Sequence, residues 1–361
     1  MNRSAVMAVL ALVAWGLAML DAPPAHACVI CVPYPTTTHA DVLLGSEAVA
    51  LAREDPARPY HLAVVEVLTG SGGDASTGVF LPSTIRRMLA FNPADAVVLV
   101  RRKGATTWEW LSYAKPAYQE MIREILAQAR DWTGERGQRR RFAFFAARLN
   151  DANAVIREQA YLEVGRAPYD WIKSAAPKVP LERVRAVLSD WRLVEWHSLY
   201  ILMLGQSDVA TDQAYIRHGF ETAARHRLTT NLSAWTTAYL ETASADSFDR
   251  LEALYFANAG RSREELEQVL QALSVLANQD AVATRPRTAA LRRRIAGGYA
   301  ILLEHHPQMA GWVAGDLMRW RRRVLVDELA DIRQGPVALE AASALAVDSY
   351  LALAPQFAEL D

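Results

Sequence analysis

Cys28 and Cys31 are the only thiols in the chain, and their Cys-Val-Ile-Cys spacing admits several chemistries. A redox dithiol wants its first sulfur at a helix N-terminus, where the thiolate is stabilised. Pro33, Pro35 and the threonine run from Thr36 to Thr38 argue against a helix there. Covalent haem attachment requires histidine directly after the second cysteine, and Val32 occupies that place. Zinc takes four ligands; His39 would add a third to the two thiolates, with no fourth evident. The residues therefore favour a local disulfide between Cys28 and Cys31, with thiol-disulfide exchange as the alternative. Closing so small a ring removes little chain entropy, so folding must rest on packing.

The other reactive side chains form no site. His305 and His306 are adjacent, point apart on a helix, and read as a solvated helix end before Pro307. His218 and His226 are two helical turns apart and read as surface or groove residues. The triplets Arg139 to Arg141, Arg292 to Arg294 and Arg321 to Arg323 offer contacts for phosphate or an acidic partner. With a net charge of -1 they read instead as helix faces neutralised by nearby acids, and no nucleic-acid partner is expected. Trp191, Trp196, Trp235, Trp312 and Trp320 fall in helical stretches and read mostly as core anchors, with one or two on a concave face as natural hot-spot candidates. There is no nucleophile elbow, phosphate-binding glycine loop or zinc-protease helix, and Gly70-Ser-Gly-Gly73 reads as a flexible turn. No catalytic residue, metal or cofactor is expected.

The first residues argue for export. Asn2-Arg3, an apolar run from Ala5 to Leu20 and the ending Ala25-His26-Ala27 follow the order of a secretory signal over 1–27. The apolar run is shorter than the ~20 residues of a spanning helix, and no later run reaches that length. Cleavage after Ala27 would leave a periplasmic or secreted chain beginning at Cys28. A lipoprotein anchor on Cys28 is the competing reading; Ala25 and His26 depart from its usual recognition pattern.

The roughly 330 residues that follow suffice for two domains. Five short strand-like runs separated by Asp-Pro and glycine breakers predict a small closed or half-closed barrel. They are Glu47–Arg53, Tyr60–Leu68, Val79–Leu81, Ala96–Val100 and Thr107–Leu111. A helix over Ala117–Ala129 should close this module. From Gly137 the pattern is helical throughout. Expected helices include Trp191–Leu204, Asp212–Ala224, Phe248–Phe256, Arg263–Ala277, Thr288–Glu304, Gly311–Ile332 and Val337–Leu353. Short amphipathic helices joined by tight turns leave an apolar face that only the next pair covers, which is the logic of a solenoid.

Two resemblances add to this. The stretch from Leu149 to Val164 resembles a HEAT repeat, with Asp151 in the inter-helix turn followed by Val155, Arg157, Ala160 and Leu162. That likeness implies that Asp151 and Arg157 tie neighbouring repeats together. The near-terminal cysteines, Ala40-Asp41-Val42, Glu47-Ala-Val49 and Tyr60 leading into Val65-Glu-Val-Leu-Thr-Gly70 resemble the netrin-like domain, the OB-type barrel of tissue inhibitors of metalloproteinases. That likeness implies a second role for Cys28, whose free amine and carbonyl would chelate a protease zinc once cleavage exposes them. The chain lacks the distal cysteines that anchor such an N-terminus. The whole resembles bacterial exported proteins that join a barrel to HEAT-like helices.

The sequence thus predicts an α+β, mostly α protein: a small OB-like barrel module over 28–130, then a HEAT-like α-solenoid over 137–361. The expected function is that of an exported, non-enzymatic interaction or scaffold protein binding a protein partner through its helical repeat surface. A thiol-disulfide oxidoreductase using Cys28 and Cys31, or a metalloprotease inhibitor acting through Cys28, are the alternatives.

Overall fold

Thr38 sets the first element. Its hydroxyl accepts from the Asp41 backbone N–H while the Asp41 carboxylate accepts from the Thr38 N–H, a reciprocal cap that starts α1 (His39–Gly45). The computed structural model describes residues 37–71, 76–242, 246–279 and 285–359, and the chain is α+β, mostly α.

Five antiparallel strands follow α1: β1 (Ser46–Glu54), β2 (His61–Thr69), β3 (Ser76–Phe80), β4 (Ala96–Arg102) and β5 (Glu109–Ala114). Their order across the sheet is β3-β2-β1-β4-β5, so β3 and β5 are its two edges. Register shifts beside Ala50 and Ala52 bend β1 against β2, and the sheet curls into a half-barrel. The central strand is buried on both faces. Ala48, Ala50 and Ala52 join Leu62, Leu81, Leu89, Val97, Leu99 and Trp108 in a small inner core, whereas Val49 and Leu51 join Val98 and Val100 in the main core. Alanines on the inner face leave room for the larger residues across from them. α2 (Ser83–Phe91), between β3 and β4, supplies Leu89 to the inner core, and α3 (Pro116–Ala127) buries Tyr118, Met121, Ile122 and Ile125 in the main core.

Gly70 is more than a flexible turn. It has φ +77°, and a Cβ there would lie 2.1 Å from the Glu47 carbonyl oxygen, so the return from β2 passes directly over β1. Residues 72–75 lie outside the described residues.

The helical region runs through α4 (Gly134–Ala146), α5 (Ala154–Gly165), α6 (Tyr169–Ala175), α7 (Leu181–Ser189), α8 (His197–Leu204), α9 (Ala210–His226), α10 (Leu232–Thr242), α11 (Ser247–Leu251), α12 (Arg263–Ala277), α13 (Arg285–His305), α14 (Ala310–Trp320), α15 (Val326–Gln334) and α16 (Ala341–Leu353). Three expected helices differ in detail. Trp191–Leu204 is a 3-10 segment over Trp191–Trp196 followed by α8, because Leu193 leaves helical geometry. Phe248–Phe256 passes from α11 into a π turn over Glu252–Phe256. Gly311–Ile332 is broken into α14 and α15, where Arg321 and Leu325 take left-handed conformations with φ +53° and +58°.

One apolar core runs without interruption from Ala40 in α1 to Ala354 after α16. No helix among the described residues is long and apolar enough to cross a membrane.

Candidate functional site

Cys28 and Cys31 lie outside the described residues, so the disulfide has no structural account here. Asp151 and Arg157 meet in the turn that opens α5. The Asn153 side chain caps the helix by accepting from the N–H groups of Val155 (3.0 Å) and Ile156 (3.4 Å), and Asp151 Oδ1 accepts from the Asn153 N–H at 2.7 Å. Arg157 Nη1 donates to the main-chain carbonyls of Asp151 (2.6 Å) and Ala152 (2.8 Å). The arginine thus fastens the turn of its own helix.

The histidines are placed apart. His39 shares a 2.5 Å hydrogen bond with the Tyr118 hydroxyl, while its backbone N–H donates to Gln159. His306 is buried rather than solvated, its Nε2 lying 3.1 Å from the Asn258 carbonyl, and burial lowers its pKa. His305, His218 and His226 are exposed. Among the described residues no three His, Cys, Asp or Glu side chains are grouped to hold a metal ion.

The arginine triplets divide. Arg139 pairs with Glu135 on the α4 surface, but Arg141 is buried and belongs to a polar cluster joining α1, α4 and α5. Arg141 donates to Glu163 (2.6 and 2.9 Å) and Asp41 (2.6 Å); Arg166 donates to Asp41 (2.6 and 2.9 Å) and Glu163 (3.0 and 3.1 Å); the Thr38 hydroxyl also donates to Glu163. Two guanidiniums thus face two carboxylates, which neutralises the cluster and leaves no free base. A second network lies at the other end of the chain. Asp316 is buried and accepts from the Ser274 hydroxyl (2.7 Å), the Tyr299 hydroxyl (2.6 Å) and Arg319 (3.2 Å). Burial raises its pKa against those donors, and burial likewise raises the Tyr299 phenol. Both networks are closed, and their chemistry is that of buried struts.

A polar cavity of about 260 Å³ opens between α9, α10 and α11, lined by Gln213, Arg217, Glu221, Tyr239 and Arg250 among others. Arg250 and Glu221 stand 3.9 Å apart across it.

The half-barrel carries a large share of the exposed apolar side chains. Tyr60, Val65, Val67, Phe80, Met88 and Phe91 are six of the thirteen exposed large hydrophobic residues among those described, although the half-barrel is the smaller part of the chain. Phe80 is 61% exposed and Phe91 83%. The Tyr60 and Phe80 rings stack at 6.3 Å and 9°, and the Arg86 guanidinium lies 4.7 Å from the Tyr60 ring centre, held by Glu54 at 2.5 Å. Tyr60 adopts φ +65°, a strained setting that turns its ring toward the edge strand. Sequence reading treated Tyr60 and Phe80 as parts of strands and missed the patch. The signal was present in Val79-Phe80-Leu81: the flanking residues pack on the inner core, so strand alternation sends Phe80 outward. Trp191 is the exposed one of the five tryptophans, at 80% on the 3-10 segment. Trp196, Trp235 and Trp312 pack partly against the main core and Trp320 is buried in it.

No protein-family model, curated protein or solved structure matches the chain.

Proposed function

We propose that the protein is an exported interaction protein that binds a protein partner, with the helical region as its scaffold and the aromatic edge of the half-barrel as a principal contact. The observation that carries this reading is the stacked, exposed Tyr60 and Phe80 pair with Arg86 laid over it. Aromatic residues and arginine are the types that dominate binding energy at protein interfaces, and exposed clusters of this kind are uncommon on monomers. Here the arginine is already immobilised by Glu54, which lowers the entropy lost on binding.

The architecture suits that role. The strand order β3-β2-β1-β4-β5 with a helix between β3 and β4 supports an OB-like reading of the module, open between β3 and β5. Successive packing of α8 on α10 and α10 on α12 supports a HEAT-like solenoid. In that solenoid the exposed Trp191 adds a second contact on the helical surface. Export through the 1–27 signal would place these surfaces in the periplasm or outside the cell.

The test compares capture by the full mature chain and by a Tyr60→Ser/Phe80→Ser variant, using native envelope extract. A protein retained by the first and lost by the second supports the reading. Equal retention by both moves the contact off the half-barrel.

A further inference from the structure

The cavity between α9, α10 and α11 holds charge that the protein leaves open. Gln213, Arg217 and Glu221 recur every four residues along α9, so all three stand on the helix face that borders it. Arg217 and Glu221 have the spacing of a helical ion pair yet form none among the described residues. Glu221 stands 3.9 Å from Arg250 of α11 instead, beyond hydrogen-bond reach. Arg217, and Asp246 just before α11, line the cavity with no ion pair among the described residues. Elsewhere acid and base close on each other, as Arg141 does with Glu163 at 2.6 Å and Arg227 with Glu265 at 2.8 Å.

Two hydroxyls are left in the same condition. Tyr239 and Ser247 are each only 6% exposed and line the cavity, and neither hydroxyl makes a hydrogen bond among the described residues. The Tyr239 hydroxyl is not sealed in, unlike those of Tyr200 and Tyr255, so the opening it has is the cavity itself. Its ring stacks on Phe220 at 4.3 Å and 9°, which gives the hydroxyl a rigid support.

We propose that this cavity binds a free amino acid by both of its charged ends. Arg217 and Arg250 take the α-carboxylate, Glu221 and Asp246 take the α-ammonium, and the Tyr239 and Ser247 hydroxyls add hydrogen bonds from the buried wall. The two carboxylates repel a simple anion and the two guanidiniums repel a simple cation, so the lining selects a molecule that carries both signs. A volume of about 260 Å³ is smaller than the pockets that enclose drug-sized ligands, which fits a molecule of this size. The site is separate from the half-barrel patch and does not rest on the function proposed above.

Thermal melts of the full chain with each of the standard amino acids screen for the ligand. Each one that raises the midpoint is then titrated by calorimetry beside its N-acetyl and carboxamide forms, which lack the ammonium and the carboxylate respectively. Saturable binding of at least one amino acid, with both capped forms weaker by about tenfold or more, supports the proposal. Arg217→Ala and Asp246→Asn should each weaken that binding about tenfold, as expected for one lost charged hydrogen bond. Both residues are exposed, so the ligand-free variants should melt like the parent. The proposal is overturned if no amino acid binds saturably, if a capped form binds as well as the free one, or if either variant binds like the parent.

Discussion

Arg141 holds Glu163 through two hydrogen bonds, 2.9 and 2.6 Å, with both side chains almost wholly inside the protein. Removing one partner leaves the other charge buried and under-compensated, which costs far more than the pair contributes. Arg141→Ala should therefore lose about 3–5 kcal/mol in urea unfolding, and Arg141→Met/Glu163→Leu should lose less than that single change. A loss below about 1 kcal/mol for Arg141→Ala would show that the cluster is not the strut described above.

Two depressed carboxyls set an acid limit. Burial raises the Asp41 carboxyl, but hydrogen bonds from Arg166 and Arg141 outweigh it and hold the group well below the ordinary range. Burial also raises Glu265, which Arg227, the Ser262 backbone and Arg261 bring down to about 2. Groups depressed on folding contribute fully above their unfolded values, 3.8 and 4.5, and lose that contribution as the pH falls through their folded values. Asp316, raised by burial, acts in the opposite sense, its contribution lost as the pH rises through its folded value. The urea midpoint should fall modestly as the pH drops from 7 toward 5, because the unfolded chain takes up protons at His39 and His306 that burial denies the folded one, and should decline further between about 4 and 2. Glu265→Gln should flatten part of that decline, and a profile level down to pH 2 would contradict the assignment.

Two buried tyrosines differ in one respect. The Tyr299 hydroxyl donates to Asp316 at 2.6 Å, whereas the Tyr255 hydroxyl has no partner. Tyr299→Phe should cost about 1.5–3 kcal/mol, and Tyr255→Phe should be neutral or stabilising. Thermal melts of the two variants check this, and equal losses would refute it.

Two helical glycines make a similar pair. A Cβ on Gly311 in α14 would lie 2.5 Å from the Ser343 Cα in α16, whereas one on Gly297 in α13 would meet nothing within 4 Å. Gly311→Ala should destabilise by about 1–3 kcal/mol through forced separation of the helices. Gly297→Ala should stabilise by about 0.5–1 kcal/mol through helix propensity. Chemical denaturation of each decides, and Gly311→Ala melting above the parent would remove the close approach.

Much of the architecture could be read from the sequence because its signals are periodic. All five strands lie within a few residues of their expected positions, and Arg263–Ala277 is reproduced from end to end, with Ser262 and Glu265 forming the reciprocal cap. Short helices escaped: α1, α2 and α6 span too few turns to display a stripe, and α1 depends on Thr38 and Asp41 rather than on apolar spacing. The breaks at Arg321 and Leu325 were invisible because neither is the glycine or asparagine that usually marks a left-handed residue. The site was harder still. Arg141, Asp41, Glu163 and Arg166 are separated by up to 125 residues, so no local spacing announces the cluster they form.

The cluster around Arg141 also bears on how the molecule can be dissected. A fragment ending near Arg130 would keep Asp41 but discard Arg141 and Arg166, stranding its acid, while a fragment beginning after it would strand the two guanidiniums with Glu163 alone. Either cut would leave charge without its partner, so the surfaces are better separated by substitution than by scission.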